Sequence, residues 1–544
     1  MRSLLKPWKI VTIALILVIF SSLYGFIYYE SIKPPSDNWS NPQMIDTYDS
    51  ASDYNSVMAN NTLALPINEN QFANIVVEDT ELIISIYDDM GTFISENKVI
   101  LDFIPSDLTG RIEDGFFKLI VSSDVSGHIE FLTFGIDDYD NIDRSNTVMK
   151  DYSIELSPTH AVAYNQSEVI TIQENNSSSF VFESKSKLTS ANSLIVSDQV
   201  INAIIFIDKG TYKLMRVTTK DGGLIVGEIL HTLSSQGTLK PVNIEMVEYQ
   251  EKIEILVTMK DVRNGESYLE HFYLNEDHTL AHHEKHEMNT YEATPYIVKN
   301  TGAPLMYLFN QNDKSLGRTE VARGQTAYPN LFSATSLTEQ DFKQLTKSQV
   351  TCRKPSMIKM GDYNYLIHNE QHGEQNMVYL STDNPIVIAQ SKKMSVELAI
   401  DVFYRTIVNY PALMFTGIIP TITILLPVML IAVPFLMVKI GWVESNIKKT
   451  TALILAIYTV SKIYVFSSDI FRSYALSQTM PYYLKSSTNH WAVLLLISMM
   501  TMFIAWNRAK DKKALNEYFL KSVGIYILLD CFALNLFFLP YTII

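Results

Sequence analysis

Long uncharged apolar runs near both ends constrain this chain more than any other feature of its sequence. Residues 10–29 form a 20-residue run without a charged side chain. That length matches the roughly 30 Å hydrocarbon core of a bilayer. Because lipid offers no partners to backbone N–H and C=O groups, such a run must be helical. The sequence predicts five transmembrane helices in total, at about residues 10–29, 412–438, 450–468, 489–507 and 520–541.

The charges beside these runs predict how the chain crosses the membrane. Basic residues precede the first run, and they dominate the loops 439–449 and 508–521. Since basic loops stay in the cytoplasm, we expect a multi-pass plasma-membrane protein with residues 1–9 inside. Residues 30–405 and the C-terminus then lie outside. We interpret the first run as an uncleaved signal-anchor; a cleaved signal peptide is the alternative, and no A-x-A site follows the run.

The region between the first two runs is strongly acidic. Residues 30–400 hold 52 of the 58 acidic residues but only 28 of the 43 basic ones. Such a surface repels polyanions, so nucleic acid is excluded as a partner. The chain has two cysteines, Cys352 and Cys531, and the second lies in an apolar run, so no disulfide is expected. A large outside region without disulfides favours a bacterial cell.

Short β-rich runs separated by polar turns repeat through this acidic region. Seven such units begin at a mean spacing of about 47 residues, which is in the range of propeller blades. A single blade cannot cover both of its faces, whereas a ring buries each blade against the next. Two β-sandwiches are the alternative. The seven units start near Leu82, Lys118, Ala161, Ala203, Ile253, Leu305 and Tyr363.

The last unit, "SMIKMGDYNYLIHNEQHGEQNMVYLSTDNPIVIAQS", resembles a single propeller blade. At the level of fold alone, the chain is similar to bacterial membrane-anchored β-propeller proteins. This resemblance implies an all-β, propeller-like extracytoplasmic domain of about seven blades over residues 30–393. It implies no active site. An α-helical transmembrane domain of four helices, residues 412–544, completes the expected fold.

Two features stand where the β region meets the helices. Residues 394–411 lose the alternating pattern and predict a juxtamembrane helix that ends in a bend at Pro411. The following run, "PTITILLPVMLIAVP", contains prolines every seven residues. Positions seven apart lie nearly in line on a helix, and each proline removes a backbone donor. We therefore expect a curved helix whose proline stripe faces other helices, or a flexing lever; the stripe consists of Pro420, Pro427 and Pro434.

The segment "YLEHFYLNEDHTLAHHEKHE" is rich in histidine and predicts a β-hairpin with its turn at 276–279. Imidazoles and a carboxylate at strand spacing are ligands for Zn²⁺ or Cu²⁺. The alternative is a solvent-exposed hairpin without metal. The candidate metal ligands are His271, His282, Glu284 and His286.

A dense acidic turn, "DDYDNID", begins like a calcium loop but lacks the glycine and terminal glutamate of an EF-hand. It predicts either a Ca²⁺ site or a hydrated turn. The carboxylates concerned are Asp137, Asp138, Asp140 and Asp143.

Two ionisable residues, Lys462 and Asp530, fall inside predicted spans, where charge is costly and often functional. Counted from the same membrane face, their depths are roughly 18 and 14 Å at 1.5 Å per residue. These similar depths predict an ion pair between two helices. Proton or ion movement at the pair is the alternative to a structural role.

The sequence favours a non-enzymatic function, since it contains none of the common catalytic motifs. We expect the propeller to recognise or sense an envelope polymer or surface protein. The helices would anchor it in the bilayer and dock a membrane protein partner. One alternative is a transporter or an accessory subunit of a transport complex. A second is an envelope-acting enzyme whose site lies on the propeller face.

Overall fold

The chain divides into two compact units, each described here by itself. A β unit comprises Pro34–Lys392, and a helical unit comprises Met1–Lys33 together with Lys393–Ile544. The computed structural model describes residues 7–32, 34–36, 38–49, 62–123, 125–174, 176–181, 187–196, 199–220, 223–235, 237, 239–249, 252–263, 266–275, 279–298, 306–313, 330–334, 343–346, 352–372, 375–393, 396–416, 418–438, 440–467, 487–509 and 515–538.

The β unit consists mostly of antiparallel sheets of four strands that follow one another along the chain. Sheet I contains β2 (Thr62–Asn68), β3 (Gln71–Glu78), β4 (Glu81–Asp88) and β5 (Phe93–Ile100). Sheet II contains β6 (Asp107–Glu113), β7 (Phe116–Ser123), β8 (His128–Gly135) and β9 (Asp138–Val148). Sheet III contains β10 (Ser153–Ser157), β11 (His160–Tyr164), β12 (Glu168–Gln173) and β13 (Asn176–Val181). Sheet IV contains β14 (Lys187–Val196), β15 (Gln199–Asp208), β16 (Thr211–Lys220) and β17 (Gly223–Ser235).

The remaining strands form one larger sheet and one sheet that joins the two ends of the unit. Sheet V has seven strands: β18 (Leu239–Tyr249), β19 (Lys252–Asp261), β20 (Glu266–Leu274), β21 (Leu280–Val298), β22 (Met306–Asp313), β23 (Asn330–Ala334) and β24 (Lys343–Gln344). Sheet VI contains β25 (Cys352–Met360), β26 (Tyr363–His372), β27 (Gln375–Thr382) and, from the start of the chain, β1 (Gln43–Asp49).

Strand β1 closes the β unit, because it pairs antiparallel with β27 from the other end of the sequence. Thr47 lies opposite Met377 in this pairing. The side chain of Asp46 also reaches the next sheet, where its carboxylate accepts a 2.8 Å hydrogen bond from the Tyr87 hydroxyl. The first described strand thus joins the last sheet to sheet I.

Apolar side chains fill the spaces between neighbouring sheets. One buried cluster joins sheets I and II through residues such as Ile75 and Leu119. Others join sheets II and III, III and IV, and IV and V. A further cluster joins sheet VI to sheet I, with Ile367 and Phe72 among its members. From sheet I to sheet V, and again from sheet VI to sheet I, neighbouring sheets in chain order share a buried cluster, and this pattern is consistent with a propeller-like all-β domain.

Tight turns connect the strands of each sheet. In the turn between β6 and β7, Asp114 and Gly115 both have positive φ angles, of 53° and 82°. An Asp-Gly pair with two positive φ values is typical of the type I′ hairpin, whose twist matches that of its strands. The turn chemistry read from the sequence therefore agrees with the observed hairpins.

The β unit ends with the short helix α2 (Pro385–Ser391). The helical unit consists of one helix before the β unit and the helices after it. Three helices are long and apolar enough to span a membrane among the described residues, over Pro7–Tyr29, Thr488–Asn507 and Lys521–Phe538. One buried apolar cluster includes residues from six of the helices. The helices of this unit are α1 (Pro7–Ile32), α3 (Val396–Thr416), α4 (Ile418–Val438), α5 (Ile440–Ser445), α6 (Ile447–Ser467), α7 (Ser487–Ala509) and α8 (Leu515–Phe538).

The helix predicted over 394–411 differs from the structure at its C-terminal end. The observed helix α3 continues through Pro411 to Thr416. Proline removes one backbone donor and kinks a helix, but it does not have to end it. The helix therefore does not end at the predicted bend. Residue 417 lies outside the described residues, and α4 is described from Ile418.

Candidate functional site

A fully buried carboxylate, Asp530 on α8, is the centre of a polar cluster within the helical unit. Its side chain is 0% exposed. One oxygen, Oδ2, accepts hydrogen bonds of 2.7 Å from the Tyr458 hydroxyl and 2.7 Å from the Lys462 ammonium, both on α6. The other oxygen, Oδ1, accepts a 3.0 Å bond from Thr501 on α7. A single side chain thus links three helices.

The positive charge of Lys462 is held in the same cluster. Besides the ion pair with Asp530, its ammonium donates to the hydroxyl of Ser498 on α7. The Lys462 side chain is only 13% exposed. Burying either charge alone would be expensive, whereas a pair with several hydrogen bonds recovers part of that cost. The geometry suits a fixed link between helices, since both carboxylate oxygens already have donors.

Lys462 and Asp530 stand out in the sequence by their charge, whereas the hydroxyl groups around them do not. Tyr458 lies four residues before Lys462 and therefore on the same helix face. Ser498 and Thr501 are three apart on α7 and also share a face. These spacings were the available signal. Hydroxyl residues are common in apolar runs, so the spacing alone does not distinguish a ligand of Asp530 from a side chain that bonds its own helix.

A second polar contact links α8 to α4. Asn535 donates a 2.8 Å hydrogen bond to the hydroxyl of Thr421. The neighbouring thiol of Cys531 is directed at the Thr421 carbonyl oxygen, 3.6 Å away. The contact between Asn535 and Thr421 is not predictable from the sequence, because neither of these two side chains carries a charge. Together with Asp530, these residues give α8 polar links to three other helices.

The prolines of α4 occupy two different environments. Pro427 and Pro434 lie inside the helix, with Pro427 partly buried and Pro434 exposed. Pro420 lies three residues after Gly417, which is outside the described residues, so the stripe of Pro420, Pro427 and Pro434 stays a prediction.

The histidine-rich hairpin forms between β20 and β21 with the register that the sequence predicts at its centre. His271 lies opposite Glu284, and Glu270 opposite Lys285. On β21, Glu284 contacts His282 at 2.8 Å and His286 at 3.4 Å. Burial lowers the pKa of His286, and the adjacent His271 acts in the same direction. At neutral pH this favours the neutral imidazole.

His271 belongs to a different set of contacts. It is fully buried, and its Nε2 lies 2.8 Å from a carboxylate oxygen of Glu254 on β19. Within the described ranges, no group of three or more His, Cys, Asp or Glu side chains is arranged to hold a metal ion. Binding of Zn²⁺ or Cu²⁺ by His271, His282, Glu284 and His286 accordingly remains a prediction to be tested on the protein.

Two further histidines meet between sheets IV and V. The rings of His231 on β17 and His283 on β21 are 4.2 Å apart, and His283 Nε2 is 2.6 Å from the Glu270 carboxylate. Burial lowers the pKa of His231, and the charge of His283 lowers it further. This pair is not predictable from the sequence because its members belong to different sheets.

The acidic turn at the start of β9 uses its carboxylates locally. Asp138 accepts a 2.7 Å hydrogen bond from the Asn141 side chain and two of 3.3 Å from the backbone N–H groups of Asp140 and Asn141. The bond from Asn141 holds the pKa of Asp138 below its usual value. These contacts account for the turn without an ion. Calcium binding by Asp137, Asp138, Asp140 and Asp143 stays a prediction.

Comparison with known proteins identifies no family for this chain. No protein-family model and no curated protein sequence matches it. Among solved structures, BBS1N in complex with ARL6DN is 9% identical with a TM-score of 0.38, covering 63% of this chain and 97% of that one. Kuenenia stuttgartiensis hydrazine synthase is 11% identical with a TM-score of 0.35, covering 56% and 91%.

Trypanosoma rangeli sialidase in complex with sialic acid is similar at the same level. It is 9% identical with a TM-score of 0.33, and the match covers 61% of this chain and 55% of the sialidase. The chain thus spans about half the length of that enzyme. Similarity this low supports no conclusion about activity, ligand or partner.

Proposed function

We propose that this is a non-enzymatic integral membrane protein with a recognition domain outside the cell. Its β unit binds or senses an envelope polymer or surface protein. Its helices anchor it in the plasma membrane and dock a membrane protein partner. In this proposal the N-terminus is cytoplasmic, five helices cross the bilayer, and the C-terminus lies outside.

The pairing of β21 supports a closed ring of about seven blades. Its first part pairs with β20, from Leu280 to Tyr291, and its second part pairs with β22, from Thr290 to Val298. The register shifts between Tyr291 and Thr294, where one part gives way to the other. If each part belongs to a different blade, the seven-stranded sheet V is two four-stranded blades. The unit then contains seven.

The strand directions distinguish the two sides of this ring, and the side opposite the chain ends is here called the free face. Chain entry and exit share one side, since Gln43 at the start of β1 lies opposite Leu380 near the end of β27. Turns from the second to the third strand of each blade, and connections between blades, lie on the other side. Exposed branched apolar residues occur on this free face, and the turn residue Val125 is 90% exposed. The members are Ile100, Ile104, Val125, Val148, Val181 and Val262.

This group of exposed apolar residues is the observation that carries the proposal. Exposed apolar side chains at strand ends and turns are unfavourable in water, and where such side chains cluster they mark interaction sites. Loops on a rigid scaffold are also the usual place for binding residues. The acidic surround favours ligands with basic groups or metal-bridged polymers. The internally satisfied Asp530 supports a fixed anchor more than an ion pathway.

The test uses full-length protein extracted in mild detergent after cross-linking on intact cells. We expect a cross-linked surface ligand to be lost in a Val125→Arg, Val262→Arg variant. The matched control is Phe116→Arg, since Phe116, the first residue of β7, is exposed on the side of the chain ends. The control should retain the ligand.

Three results contradict this proposal. Equal capture by both variants shows that the free face is not the binding surface. Ion flux through the purified protein in liposomes favours the transporter alternative. Turnover of an envelope polymer by the purified protein favours the enzyme alternative, in which the same face carries a catalytic site.

A further inference from the structure

Helix α3 presents one of its faces to α1. Val402 and Thr406, four residues apart, are both fully buried. The ring of Phe403 packs edge-on against Phe20 of α1 with centroids 5.8 Å apart. The hydroxyl of Thr406 donates to the Val402 carbonyl oxygen at 2.6 Å, so its hydrogen-bonding group needs no water. This face is equipped to be buried in an apolar surrounding.

The adjoining face of α3, which shares the half-exposed Phe403 with the face on α1, carries large apolar residues that the protein leaves exposed. They recur at intervals of three and four residues and so form one stripe along the helix. The stripe is roughly 18 Å long at 1.5 Å per residue. Its members, here called the α3 stripe, are Val396, Ile400, Phe403, Tyr404, Ile407 and Val408.

The position of Phe20 indicates what covers this stripe. Phe20 lies near the middle of Pro7–Tyr29, a segment long and apolar enough to span a membrane. It is roughly 20 Å from the first residue of that segment and roughly 14 Å from the last. A side chain that touches Phe20 is then at the depth of lipid acyl chains. Large aliphatic residues are also exposed on α1, among them Ile13, Ile16 and Leu17.

We infer that the α3 stripe packs against the acyl chains of the bilayer, so that α3 is embedded beside α1. This inference rests on the proposed membrane anchoring. The charged residue Arg405 agrees with it. Arg405 is exposed and lies about 140° around the helix from the centre of the stripe. Helix α3 can therefore direct this side chain toward headgroups while the stripe stays in hydrocarbon.

Spin labels in the full-length protein test the inference. In a variant with both native cysteines replaced by alanine, Ile400→Cys and Ile407→Cys are labelled and reconstituted into phosphatidylcholine liposomes. Collision rates are measured with oxygen, which concentrates in hydrocarbon, and with a water-soluble nickel complex. Leu17→Cys on α1 is the lipid reference, and Val125→Cys on the β unit is the water reference.

We expect the labels on α3 to match Leu17→Cys, with oxygen collisions several-fold more frequent than nickel collisions. Nickel access equal to that of Val125→Cys overturns the inference, because the stripe then faces water. Low access to both reagents also overturns it, because a protein surface then covers the stripe. If Leu17→Cys itself behaves like Val125→Cys, the membrane anchoring proposed for the whole protein fails instead.

Discussion

At the scale of single residues, Asp530 determines how strongly α6, α7 and α8 are linked. Its carboxylate accepts hydrogen bonds from Tyr458, Lys462 and Thr501. Removing one partner of a buried ion pair leaves the other charge uncompensated, which typically costs about 3–5 kcal/mol. We therefore expect Asp530→Asn and Lys462→Met each to lower the free energy of unfolding by about that amount. Denaturant unfolding of the full-length protein in detergent measures it.

The double variant distinguishes a pair from two independent effects. If Lys462 and Asp530 stabilise each other, Asp530→Asn combined with Lys462→Met should recover much of the loss, since no unpaired charge remains. Ser498→Ala is the matched control, because it removes a neutral partner of Lys462 and should cost about 1 kcal/mol. Additive losses in the double variant are inconsistent with pairing.

His231 makes the stability of the β unit depend on pH. Burial and the neighbouring His283 lower its pKa in the folded protein, so the unfolded chain binds protons more readily. Stability is therefore complete above the unfolded pKa of about 6.5 and decreases as pH falls from there toward the lower folded pKa. We expect the melting temperature of the β-unit transition to fall between pH 7.5 and pH 5.5. Scanning calorimetry of the full-length protein at several pH values measures this.

A phenylalanine at position 231 keeps an aromatic ring beside His283 and Phe272 but cannot take a proton. The His231→Phe variant should show a shallower decrease over the same pH range. His286 contributes a decrease of the same sign, since its pKa is also lowered by burial. An unchanged pH profile in His231→Phe shows that the contact between sheets IV and V does not respond to acid.

At the scale of elements, the two interior prolines of α4 should respond differently to replacement. Either change supplies a donor for a helical carbonyl, which is worth about 0.5–1.5 kcal/mol. Pro434 is exposed, whereas Pro427 is partly buried between the buried residues Ile424 and Val428. Pro434→Ala should therefore raise the melting temperature in detergent, and Pro427→Ala should raise it less because packing changes as well. A larger gain from Pro427→Ala contradicts this order.

The sequence predicts elements better than it predicts the contacts between them. Uncharged runs predict candidate spans because a charge in lipid is so costly, and for the same reason Lys462 and Asp530 stand out. The partners Tyr458 and Thr501 do not, since a hydroxyl barely changes the hydropathy of a run. The hairpin register between β20 and β21 is local and can be read from the turn. Glu254, the partner of His271, lies on another strand outside that hairpin.

At the scale of the whole molecule, repetition along the chain predicts the type of β domain but not how it is closed. The regular spacing of β-rich runs follows from strand and turn lengths. The pairing of β1 with β27 joins residues more than 300 positions apart, and nothing local encodes it. Strand β21 is a second feature that the spacing does not predict. The first part of this 19-residue strand pairs with β20 and its second part with β22, whereas regular spacing predicts a separate strand for each unit.

The orientation of the whole chain gives the last prediction. The proposed topology, with five spans and basic loops inside, puts Thr47 outside the cell and Lys449, in the first turn of α6, in the cytoplasm. Both side chains are exposed. In intact cells, a membrane-impermeant maleimide should label a Thr47→Cys variant but should reach Lys449→Cys only after permeabilisation. Labelling of Lys449→Cys in intact cells contradicts the five-span topology. Helix α3 must then cross the membrane as a sixth span, and every later helix then crosses in the opposite direction.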